Sequence, residues 1–130
     1  MQNLLVAAGV IACLTAIVHS VMGELLIFRH LRRSGVVPSM AAPPLQARNI
    51  RILWATWHLA SVFGVAFALV LLQLAPADRE SAVYALVVQA IVLANFGGAL
   101  LVLVATRARH PGWIALLLVA VLTAVAARAS

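Results

Sequence analysis

"LLVAAGVIACLTAIVHSVMGELLIF", Leu4 to Phe28, runs for 25 residues with a single formal charge, Glu24. A helix rises 1.5 Å per residue, so crossing a hydrocarbon core of ~30 Å takes about 20 residues. This stretch is therefore long enough to span a bilayer. It shows no period-two alternation, and backbone groups in lipid must be satisfied within the segment, so the span is read as a helix. Three further apolar segments follow, Ile52–Ala75, Ser81–Thr106 and Trp113–Ala127. The expected fold is all-α: a polytopic membrane protein, an antiparallel bundle of four transmembrane helices over 4–28, 45–75, 81–106 and 112–127. Residues 1–130 form a single membrane domain with a basic loop at 29–44. The last span is short and is expected to end with Arg128 snorkelling to the interface.

Composition agrees. Of 130 residues, 65% are hydrophobic and only 9% charged, where a soluble domain carries about 25% charge. Mean hydropathy is +1.12. The net charge of +6 comes from nine basic residues, all arginine, against Glu24, Asp78 and Glu80. The arginines lie at the ends of apolar runs, where they meet phospholipid headgroups, so lipids and not nucleic acid are the expected contact. Cys13 is the single cysteine, which excludes an internal disulfide and a CxxC pair. "GVIAC" has the look of a lipoprotein cleavage box. Met1-Gln2-Asn3, however, supplies no positive n-region, and a retained first helix is expected.

The connections set orientation. "APADRE", Ala75–Glu80, and "RARHPG", Arg107–Gly112, read as tight hairpins, with Pro111 suited to the first turn of the fourth helix. The first connection is longer, and its Pro43-Pro44 should start a helix that enters the second span from about Leu45. Arg29, Arg32, Arg33, Arg48, Arg51, Arg107 and Arg109 lie on one side, and Arg79 and Arg128 on the other. Seven against two predicts basic loops in the cytoplasm and both termini outside, in a bacterial inner membrane.

Polar residues interrupt these spans at one depth. Counting from the cytoplasmic ends, His19, His58 and Asn95 fall at about one level, with Glu24, Arg51 and Trp54 one to two turns nearer the surface. Small-residue rows run along the helices: Ala8, Ala12, Ala16, then Ser20 and Glu24; Ala60, Gly64 and Ala68; Ala90, Ala94 and Gly98. Such rows let helices approach closely in lipid. His19 shares a row with Gly23, which is expected to leave open space beside the imidazole. Arg51, Trp54, His58 and Ser61 share a face of the second helix. A ligand or ion pocket is therefore read at His19, Ser20, Gly23, Glu24, Arg51, Trp54, Trp57, His58 and Asn95, with Glu24 paired to Arg51 or to another arginine at the cytoplasmic end. The bland alternatives are a structural ion pair, inter-helix hydrogen bonds for the histidines, and an interfacial aromatic belt for Trp54, Trp57 and Trp113.

No catalytic set is assigned. His19 and Glu24 are five apart, about 140° around a helix, and cannot chelate as an i,i+4 pair. HExxH and ExxH are absent, and Ser20 points about 100° from His19. Two imidazoles at one depth are the requirement for bis-histidine haem, so haem or a metal at His19 and His58 stays open, though no cofactor is expected. "AIVHSVMGELLI" with "RILWATWHLAS" resembles a group of uncharacterised small bacterial four-helix integral membrane proteins that carry an HSxxGE segment in helix one and a WHL segment in helix two. That resemblance implies the membrane fold, points to His19, Ser20, Gly23, Glu24, Trp57 and His58, and implies no activity. The functional expectation is a small inner-membrane scaffold or accessory subunit, self-associating or docking on a larger membrane complex. The alternatives are a small transporter using Glu24, His19 and His58 for proton or ion coupling, and a membrane protein that binds haem or metal or acts on lipid headgroups.

Overall fold

A computed structural model describes residues 2–77 and 80–128. It contains four helices: α1 (Gln2–Leu26), α2 (Ala47–Leu74), α3 (Ala82–Ala105) and α4 (Gly112–Arg128), with a 3₁₀ turn at Phe28–Leu31 after α1. Among the described residues there are no strands, only one isolated bridge between Ala42 and Leu45. Each helix begins and ends within two residues of its expected bounds. Three of them, at 25, 28 and 24 residues, are long and apolar enough to cross a membrane. The fourth has 17 residues, about 25 Å at helical rise and short of a ~30 Å core. The expected charges of Asp78 and Arg79, and that part of the Ala75–Glu80 hairpin, lie outside the described residues.

Local chemistry sets the ends. Ala42 and Leu45 exchange backbone bonds of 3.0 and 2.8 Å around Pro43-Pro44, and the amides of Asn49 and Ile50 then bond the Gln46 carbonyl to open α2. Ser81 caps α3, its hydroxyl accepting from the Val83 amide at 3.2 Å, which satisfies a donor the helix leaves free. Beyond Thr106 the chain turns left-handed, with φ of 51° at Arg107 and 62° at Ala108. The Ala108 amide returns to the Leu103 carbonyl at 2.8 Å, the wrap that commonly closes a helix.

Large apolar side chains face outward all along the helices: Leu14, Val18, Leu69, Leu86, Leu93 and Leu101 are all exposed. Apolar exposure on this scale in water would drive association. Together with the helix lengths it suggests a membrane protein.

The chain divides into two compact units, residues 1–15 with 65–130, and residues 16–64. In the first, Leu5, Ala8, Ala12, Ala68, Leu71, Tyr84, Val88, Ile91, Val119 and Ala126 form one buried cluster, and α3 packs along α4. In the second, Ala16 meets Gly64, where an added Cβ would lie 2.8 Å from the Ala16 Cβ. The row Ala8, Ala12, Ala16 is thus consumed inside the chain, as its spacing predicts. The α3 row behaves differently. Ala90 and Ala94 are exposed, and the inward row is Tyr84, Val88, Ile91, Asn95 and Ala99.

Candidate functional site: a polar chain on α1 and α2

The second unit holds eight of the nine predicted site residues and brings seven of them together, leaving out Arg51. The last turns of α1 supply His19, Ser20, Gly23 and Glu24, and the first turns of α2 supply Trp54, Trp57 and His58. Trp54, His58 and Ser61 share a helix face by their spacing, and Ser61 at the end of that row is buried.

His58 is the centre. Its Nδ1 lies 2.6 Å from the Ser20 hydroxyl. Its Nε2 is sealed from solvent with no hydrogen-bond partner, and the nearest Glu24 oxygen is 3.7 Å away. That separation exceeds hydrogen-bonding range. The Trp54 indole N–H points at the same Glu24 oxygen from 3.4 Å, and its ring meets His58 edge-on at 5.0 Å.

Glu24 pairs with Arg32, one of the expected cytoplasmic-end arginines, and not with Arg51, the partner placed first. Arg51 sits on α2 with its side chain exposed. The reason lies in the chain path: after α1 the 3₁₀ turn reverses the backbone, and Arg32, extended at φ −111° and ψ 142°, falls back on the last turn of α1. A carboxylate near a helix C-terminus is disfavoured by the helix dipole. The guanidinium offsets that cost.

The expected open space beside Gly23 is filled. An added Cβ would lie 2.0 Å from the Trp57 indole nitrogen, so the missing side chain is what admits the indole. Trp57 donates from Nε1 to the His19 carbonyl at 2.9 Å and stacks on the His19 ring at 4.3 Å with planes 8° apart. Phe28 closes the group, meeting Trp57 edge-on at 5.9 Å and His58 at 6.0 Å.

Asn95 is elsewhere. It belongs to the first unit, is buried, and donates to the Ile91 carbonyl of its own helix at 2.9 Å. Residues that the sequence reading missed are Arg32 and Phe28. Arg32 stood among five basic residues of similar standing, and Phe28 read as the last residue of a span.

A cavity of about 230 Å³ borders this chain, lined by Ser20, Val21, Glu24, Leu25 and His58. It is smaller than the ~300–1,000 Å³ of ordinary small-molecule sites. One His58 nitrogen is held by Ser20, and one face of His19 is covered by Trp57. Among the described residues, no three His, Cys, Asp or Glu side chains converge as a metal cluster.

Ser20, His58 and Glu24 also have the order of a nucleophile, base and carboxylate. Ser20 lies in mid-helix, however, where the neighbouring backbone amides are spent within α1. The paired donors that stabilise an acyl-transfer oxyanion are therefore not presented there. What remains is an imidazole held by Ser20 at one nitrogen and facing the Glu24 carboxylate with the other. No protein-family model, no curated protein and no solved structure matches the chain.

Proposed function

We propose that this chain is a multi-pass protein of the bacterial inner membrane, termini outside and basic loops in the cytoplasm, that exchanges protons at Ser20–His58–Glu24. On this reading the exchange is coupled to movement of a small ion or polar solute. The observation that carries it is the series Ser20, His58, Glu24, Arg32, with a short 2.6 Å bond at one end, an ion pair at the other and a 3.7 Å gap between His58 and Glu24. Ionisable groups inside a membrane are costly and are found on ion and proton pathways. Histidine changes charge near neutral pH. His58 would exchange a proton at Nε2, facing Glu24, once local motion opens that sealed atom to the bordering cavity, while Ser20 holds the ring orientation through Nδ1. Arg32 pairs with Glu24 at the far end of the series.

The test is proton flux in vesicles holding the purified protein and a pH-reporting dye, under an imposed potential. Wild type should acidify the lumen faster than empty vesicles, and both His58→Ala and Glu24→Gln should return the rate to that of empty vesicles. Equal flux in all three preparations overturns the reading.

The scaffold or accessory-subunit reading stands second. It is favoured by Ala90 and Ala94, which remain on the outer face of α3, with Gly97 open to space. Small residues left outward in a membrane helix permit a further helix to pack closely. Blue-native electrophoresis after mild solubilisation distinguishes it: a larger particle lost in Ala94→Leu supports a subunit role, and a monomer opposes it.

A further inference from the structure

The first unit carries a second cavity, independent of the proton chain. A groove of about 520 Å³ runs between α3 and α4, with Val88, Val92 and Phe96 along one wall and Ala124 on the other. At one end stand Tyr84 and Arg128. Tyr84 is only 5% exposed, yet its hydroxyl has no hydrogen-bond partner. A buried donor left unmade costs about 1–3 kcal/mol, which an acceptor lying in the groove would relieve. Arg128, in the last turn of α4, puts a cation at the same end.

We infer that this groove holds one anionic phospholipid, its phosphate at Arg128, an ester oxygen at Tyr84 and one acyl chain along Val88, Val92 and Phe96. Three features select this occupant. Tyr84 to Phe96 is 12 residues, about 18 Å of helix, which is on the order of one leaflet of a ~30 Å core. The volume lies within the ~300–1,000 Å³ range of ligand sites. Arg128 and Tyr84 stand at one end, Gln89 is the one polar side chain further along, and the rest of the lining is apolar, a distribution that suits a lipid better than a water-soluble anion. A basic residue near the membrane surface attracts anionic lipid by about 1 kcal/mol.

Native mass spectrometry of the full chain, equilibrated with phosphatidylglycerol and released from mild detergent, tests this. Wild type should retain one phosphatidylglycerol, and phosphatidylcholine of the same chains should be retained about fivefold less, the ratio for one such charge. Arg128→Gln should lose about the same factor. Val92→Trp, which fills the groove floor, should lose retention of both lipids. Since Val92→Trp risks the fold, helical content is checked by circular dichroism, and exposed Arg128→Gln carries the test alone if that variant unfolds. Equal retention of the two lipids, unchanged retention in Arg128→Gln, or displacement of the lipid by inorganic phosphate overturns the inference.

Discussion

At the scale of single residues, the site is held by a glycine and an arginine. Gly23 has no side chain where the Trp57 indole needs the room: a methyl there would sit 2.0 Å from the indole nitrogen. Gly23→Ala must therefore displace the indole and break its bond to the His19 carbonyl. Overpacking of this kind costs about 1–3 kcal/mol, and the lost hydrogen bond adds about 1 kcal/mol. Thermal unfolding in detergent should show the loss. Combination with Trp57→Leu should cost less than the sum of the two single changes, because both act on one contact. The ion pair makes a contrasting prediction. Glu24 and Arg32 are 27% and 21% exposed, so Arg32→Gln should destabilise by about 2 kcal/mol, between the surface and buried limits for such pairs. Arg51→Gln should stay within about 0.5 kcal/mol of wild type. The reverse ranking would reassign the Glu24 partner.

At the scale of elements, the ends of α3 are chemically unequal. Its N-terminus is capped by Ser81, a residue type suited to the task. Its C-terminus ends on Arg107 and Ala108, both at positive φ, a region that costs ordinary residues roughly 1 kcal/mol and glycine almost nothing. Ala108→Gly should therefore stabilise the protein slightly, by about 0.5 kcal/mol after the added freedom of the unfolded chain is subtracted. A lowered melting temperature in this variant would show that the left-handed turn does not form. α1 and α2 are built on small residues and on the polar chain, which explains why their facing rows are consumed internally. The α3 face carrying Ala90 and Ala94 is not.

At the scale of the whole molecule, the prediction concerns orientation. With Cys13 replaced by alanine, a cysteine at Val36, which is 71% exposed, should react with an impermeant thiol reagent only after the cells are opened. A cysteine at Ala77 should react from outside intact cells. The basis is the seven-to-two division of arginines, and labelling of the Val36 position from outside would reverse the topology. Val36 serves better than Gly35, whose φ of 75° would strain any replacement.

Helix number, type and bounds were legible in the amino-acid sequence, because helical hydrogen bonds join residues four apart and span length is a count. The convergence of His19, Ser20, Glu24, Trp54, Trp57 and His58 was legible for a similar reason: depth along a helix is arithmetic. Three features were decided only by tertiary structure. The Glu24 partner depended on the 3₁₀ turn at Phe28–Leu31, a local reversal that no periodicity announces and that chose Arg32 from among nearby arginines. The space beside Gly23 depended on which aromatic ring arrived from another helix, and Trp57 took it. Asn95, though at a matching depth, spent its amide on its own backbone, because depth constrains height along a helix and leaves rotation about it to packing.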